Sequence, residues 1–253
     1  LVNKVNHEKK TKVIPLYNRR VWIGIAASIV LLIGAFFLFN YNDTVIHETN
    51  FGETASFHLP DNSVVTLNAG SALSYSKRNW KHERSLSLQG EAFFEVQKGS
   101  NFEVNTTLGK VEVLGTSFNV RVYKGRLVVS CKTGKVRVTA ANESKQIIKP
   151  GETVKTLESG ILENPEPIDT DEIDTWIDGE IVIQSWALEE VFEEIERQFN
   201  VQIEFDGINP SENFYSGYLN RNNLKASLDA VLLSYRLEYE IKENTRVIIT
   251  RRE

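Results

Sequence analysis

Glu91 and Glu95 come nearest to a catalytic pair among the residues of this chain. Side chains alternate across a strand, so residues four apart share a face, and two such carboxylates could divide acid and base work. Phe93 has the same parity, which leaves Phe94 and Val96 as the clear core candidates on the opposite face. Acids placed this way read as solvated surface groups or hydrogen-bonded turn residues. Trp80, Trp176 and Trp186 could stack on sugar rings, but isolated tryptophans are more often packing anchors. The four histidines, His7, His47, His58 and His82, are scattered, and no CxxC or HExxH spacing occurs. Neither a metal site nor a cofactor is expected. Cys131 is the only cysteine, so no internal disulfide can form. In its alternating run with Val129 it reads as a small buried hydrophobe.

The elements that position these residues fall into distinct stretches. Residues 21–39 carry no charge, and twelve of the nineteen are Val, Ile, Leu or Phe. As a helix rising ~1.5 Å per residue they would span roughly 28 Å, close to the ~30 Å hydrocarbon core of a bilayer. Arg19 and Arg20 precede the stretch, and Asn40, Tyr41, Asn42 and Asp43 follow it. The charge asymmetry predicts a single membrane-crossing helix with residues 1–20 in the cytoplasm and the bulk of the chain in the periplasm. The stretch is longer than the apolar core of a signal peptide, and no A-x-A pattern follows it. Residues 1–20 hold six basic side chains against one acid, a balance of +5; with the whole chain at −5, residues 40–253 carry −10. An acidic body of this kind argues against nucleic acid as ligand. The chain begins at Leu1 and contains no methionine. It therefore reads as a fragment or processed form, whose first twenty residues are too few to bury a core.

Residues 44–160 alternate in strand-length runs, such as Val64–Leu67, Phe102–Val104, Phe118–Val122 and Val136–Val138. Asp61-Asn62, Lys98-Gly99-Ser100, Lys124-Gly125 and Thr133-Gly134 punctuate them as turns. About a dozen short strands predict an all-β, sandwich-like domain. Residues 161–174 bring two prolines and, with Glu163, six acids, which reads as an extended acidic linker. From Trp176 the period changes. Glu180–Ile183 reads as a strand and Ser185 as a helix N-cap. Leu188, Val191, Phe192, Ile195 and Phe199 then form one apolar helical stripe, with Glu189, Glu193, Glu194 and Glu196 on a solvated face. Asn200 should stop that helix. A strand at 215–219, a helix carrying Leu224, Leu228, Val231, Leu232 and Tyr235, and strands at 237–241 and 247–249 repeat the order. Residues 175–253 thus predict a small α+β domain of repeated βαβ units, each helix covering one face of a sheet.

Four stretches resemble the FecR family of transmembrane anti-sigma regulators. They are residues 59–71 (LPDNSVVTLNAGS), 88–96 (LQGEAFFEV), 111–120 (VEVLGTSFNV) and 134–138 (GKVRV). Asn62 stands where that family usually has glycine, and asparagine tolerates the positive φ such a turn needs. Residues 175–253 are similar to the short signalling module of secretins and TonB-dependent receptors that follows the FecR region in many members. The resemblance implies a non-enzymatic regulator of the inner membrane. It would relay a signal from an outer-membrane TonB-dependent receptor, met through residues 175–253, to a cytoplasmic extracytoplasmic-function sigma factor. The sigma-binding element would lie in a region absent from residues 1–20. The alternative is an envelope-anchored glycan-binding or scaffold protein with no transcriptional role. The family resemblance also singles out Gly115 and Thr116 as a candidate self-cleavage site. There the threonine hydroxyl would attack the preceding carbonyl and water would split the resulting ester. The plainer reading is a glycine bulge admitting the next strand.

Overall fold

The computed structural model describes residues 19–39, 43–157, 159–243 and 245–252. The chain divides into two compact units, Leu1–Asn42 and Asp43–Glu253. In the first, helix α1 covers Arg19–Phe39, with side chains described from Trp22 to Ala35. This corrects the expectation of a membrane-crossing helix. Among the described residues no helix is long and apolar enough to cross a membrane. The flanking residues 1–18 and 40–42, including Tyr41, lie outside the described set.

The second unit is mostly β. Its strands are β1 (Thr44–Glu48), β2 (Ala55–His58), β3 (Val64–Leu67), β4 (Ala72–Ser76), β5 (Arg84–Glu95), β6 (Phe102–Thr106) and β7 (Gly109–Val113). They continue with β8 (Ser117–Tyr123), β9 (Arg126–Cys131), β10 (Val136–Ala140), β11 (Lys145–Ile148), β12 (Glu152–Lys155) and β13 (Glu166–Pro167). In place of the two separate layers of a sandwich, these thirteen strands form one continuous sheet that curls as a half-barrel. The twelve-residue β5 makes the continuity possible. Its first half pairs with β4 and, in parallel, with β6; its second half pairs with β3 and β8. Gly90, at φ +86°, stands between the halves. A left-handed backbone there is what glycine supplies without a steric cost.

Alternation sends one face of each strand inward. Phe94 stacks on Phe118 with ring centroids 5.0 Å apart and meets Phe102 edge-on at 6.1 Å. Trp80 closes the cluster against Phe102 and Tyr75. Cys131 lies in this core, where burial pushes its thiol up to about 11, so it stays protonated and inert at neutral pH. The turn before β3 forms at Asn62, φ +64°. Asp61 holds it by accepting from the Ser63 backbone N–H at 3.1 Å and from Arg84 at 2.8 Å.

The remaining elements are α2 (Thr175–Asp178), β14 (Glu180–Ala187), α3 (Leu188–Phe199), β15 (Gln202–Phe205), β16 (Phe214–Asn220), α4 (Leu224–Leu232), β17 (Leu237–Lys242) and β18 (Arg246–Arg251). The elements follow the expected order, but their pairing corrects the reading of two self-contained βαβ units. The first strands of the two repeats, β14 and β16, pair antiparallel with each other, while β15 runs parallel to β18 in a separate three-stranded sheet with β17. Leu188, Val191, Phe192 and Ile195 pack into a second core with Trp176, Leu228, Val231 and Val247. Ser185 is not the cap of α3. It sits at φ +54° in a break of register within β14, which runs on to Ala187. Asn200 does end the helix, at φ +53°.

Candidate functional site

The second core is built partly by the sheet itself. Within the second half of β5, Ala92 and Phe94 face the first core, while Phe93 belongs to the second. On β8 the same parity separates Phe118 and Val120, inside, from Asn119 and Arg121 on the other face. That face of the sheet is covered by α2, α3 and β14, and a seam of polar side chains lies between.

Glu91 is 5% exposed and stands at the centre of the seam. Its two carboxylate oxygens accept from Asn68 Nδ2 at 2.9 Å and Asn119 Nδ2 at 2.8 Å. Trp176 Nε1 donates to Asn119 Oδ1 at 3.3 Å. From α3, Gln198 Nε2 donates to Asn68 Oδ1 at 2.9 Å and to Glu194 Oε1 at 2.8 Å. Glu194, 1% exposed, accepts on its other oxygen from Arg121 at 2.9 Å and from Arg197. Arg121 lies over Trp186 at 3.8 Å and Arg197 over Tyr123 at 3.8 Å, so the guanidinium faces are held by aromatic rings. Burial lowers both guanidinium pKa values, that of Arg197 to about 10, which leaves Arg197 charged at neutral pH. Beside the seam a cleft of about 430 Å³ opens between Tyr123, Val128 and Lys155 of the sheet and Trp186, Glu190 and Glu193 opposite.

These positions correct two expectations. Glu91 is neither a surface acid nor half of a catalytic pair. At ~3.3 Å per residue its Cα lies about 13 Å from that of Glu95, so the two carboxyls meet only if both side chains lean toward each other. Both Glu91 oxygens are, moreover, committed to amide donors, whereas Glu95 is exposed. The acidic face of α3 is not simply solvated either. Glu194 is buried, Glu190 pairs with Arg126 at 2.7 Å, and Glu193 pairs with Lys124. Of the tryptophans, Trp80 is in the first core, Trp176 in the seam, and Trp186 under Arg121. Among the described residues no cluster of His, Cys, Asp or Glu could hold a metal ion. The seam fastens the module carrying the second core to the sheet through these side-chain contacts.

Gly115 and Thr116 lie elsewhere, in the turn before β8. A Cβ on Gly115 would come within 2.7 Å of the Lys98 Cα, so the close passage of the 98–99 segment requires glycine there. Thr116 is 3% exposed, its carbonyl accepts from the Val96 N–H at 2.9 Å, and its hydroxyl points to the Lys135 carbonyl at 3.4 Å. Among the described residues no carboxylate, imidazole or amine is hydrogen-bonded to that hydroxyl.

Sequence reasoning missed Asn68, Asn119, Arg121, Glu194, Arg197 and Gln198 as one group. Asn68 and Gln198 are 130 residues apart, and no local pattern joins them. The available signal was Phe93, a large apolar residue between two acids on a face read as solvent.

Two family models match the chain, FecR protein over residues 46–137 and FecR, C-terminal over residues 180–249. Two crystal structures of a candidate anti-sigma factor from Parabacteroides distasonis, at 2.50 and 1.65 Å resolution, superpose with TM-scores of 0.76 and 0.75. Each is 29% identical and covers 83% of this chain and 100% of its own. No curated protein matches. Asn68, Glu91, Asn119 and Arg121 fall in the first matched segment, and Glu194, Arg197 and Gln198 in the second, so the seam joins the two parts that define the relationship. The chain belongs to the FecR family.

Proposed function

We propose that this chain is an anti-sigma regulator. The observation that carries the reading is the paired match to both FecR segments, supported by likeness over 83% of the chain to a candidate anti-sigma factor. A regulator must change its contacts without doing chemistry, and a polar seam between two separate cores suits that task. In finer detail, the body at 43–253 works in the periplasm and meets the signalling module of an outer-membrane TonB-dependent receptor. The partner on the cytoplasmic side is an extracytoplasmic-function sigma factor. Residues 175–253 are the receptor-facing part. Phe214 and Tyr218, exposed on β16, offer apolar contact surface there. The test is transcriptional: loss of the chain changes output from promoters read by one sigma factor of this class.

On this reading the chain works by binding and stays uncleaved at Gly115–Thr116, since among the described residues no base is hydrogen-bonded to the Thr116 hydroxyl. Purified chain run under denaturing conditions should give one full-length band, unchanged by Thr116→Ala. Two fragments that disappear in Thr116→Ala would establish cleavage instead.

A further inference from the structure

The geometry points to a releasable clasp: the acidic face of α3 is docked on the basic β8–β9 hairpin, and the module at 175–253 can lift off the sheet, leaving the first core intact and taking from the second only its contact with Phe93. Three observations converge on it. Among the described residues no strand ladder crosses from β1–β13 to β14–β18, since the thirteen-stranded sheet and the two small sheets are separate. Across the seam a backbone hydrogen bond is formed by the Gly52 N–H with the Arg197 carbonyl, at 2.8 Å. The other polar contacts described above are made by side chains.

Those side chains are complementary in charge. Lys124 meets Glu189 and Glu193, Arg126 meets Glu190, and Arg121 meets Glu194. The Lys124 and Arg126 pairs are partly exposed, where dissolved salt screens attraction. The Glu91 and Glu194 groups regain water when the seam opens, so opening trades hydrogen bonds for hydration. Burial of Phe93 and Trp176 is the apolar part that holds the closed form. Each body keeps its own core, the first around Phe94 and Phe118, the second around Phe192 and Val231. While closed, the clasp shields the acidic face of α3 from any basic surface on a partner. Opening exposes that face and the basic hairpin together.

Neighbouring residues on β9 supply the test. Ser130 faces the seam and Cys131 the first core. The whole chain carrying Ser130→Cys is treated with an uncharged maleimide bearing a polyethylene glycol chain, too bulky for the ≈ 150 Å³ space beside Ser130. Labels are then counted by mass. The expected result is one label at 130 well before any at Cys131, with the rate at 130 rising roughly tenfold from low salt to 0.5 M while that at Cys131 is unchanged. Lys124→Glu with Arg126→Glu should speed labelling at 130 already at low salt, and adding Glu190→Lys with Glu193→Lys should slow it again. If the charge variants do not fold, the salt series decides by itself. Labelling of both thiols at one rate, or a rate at 130 that salt does not raise, would overturn the clasp.

Discussion

Glu194→Ala should destabilise the closed seam by on the order of 3–5 kcal/mol, the usual consequence of removing one partner from a buried ion pair. Glu194 is the acceptor shared by Arg121, Arg197 and Gln198. Without it two guanidinium groups lose the carboxylate to which both donate, and only more distant acids such as Glu91 offset their charge. The penalty falls on closure, because both groups can be hydrated if the module lifts away. In a urea titration the Glu194→Ala chain should therefore show an early transition reported by tryptophan emission, while the main loss of β structure keeps the wild-type midpoint. Glu189→Ala, which removes an exposed partner of Lys124, should cost less than about 1 kcal/mol in the same assay. A Glu194→Ala profile that overlays the wild type would show that the shared carboxylate does not hold the seam.

Gly90→Ala should weaken the sheet itself. A Cβ at Gly90 would lie 2.4 Å from Ser71 Oγ and 2.8 Å from the Ser71 Cα. Ser71 cannot easily retreat: its hydroxyl accepts from the Glu91 N–H at 2.9 Å, and its own N–H donates to Thr49 Oγ1 at 3.0 Å. Backbone strain at φ +86° adds about 1–3 kcal/mol to a clash of about 1–3 kcal/mol. For a body of this size each kcal/mol lowers the melting temperature by roughly 2–4 °C, so a fall of about 5–20 °C is expected by calorimetry. A melting temperature within about one degree of wild type would mean that β5 does not need glycine at its bend.

The two predictions draw on different levels of legibility. Gly90 stands in a stretch where alternation already placed strands, and the apolar stripe of α3 and its stop at Asn200 could be read directly from spacing. Those features depend on neighbours within a dozen residues. The pairing of β14 with β16, the parallel contact of β15 with β18, and the sharing of β5 by both halves of the sheet depend on distant partners, and periodicity is silent about them. The seam was hidden for a further reason. A face bearing Glu91, Asn119 and Arg121 looks solvated to any rule that equates polar with exposed. The burial of such a face becomes possible only when a second body supplies matching donors and acceptors. The apolar run at 21–39 misled in the opposite direction: composition alone suggested a membrane span, whereas among the described residues no helix is long and apolar enough to cross a membrane.

The regulatory reading is tested most directly by measuring transcription from promoters of the extracytoplasmic-function sigma factors in the host, with the gene for this chain deleted, restored, and deleted together with each sigma-factor gene in turn. The account predicts that deletion alters output from one such set of promoters, that restoration reverses the change, and that removing one sigma factor abolishes it. Promoter output that is the same with and without the chain, for every sigma factor of the class, would contradict it.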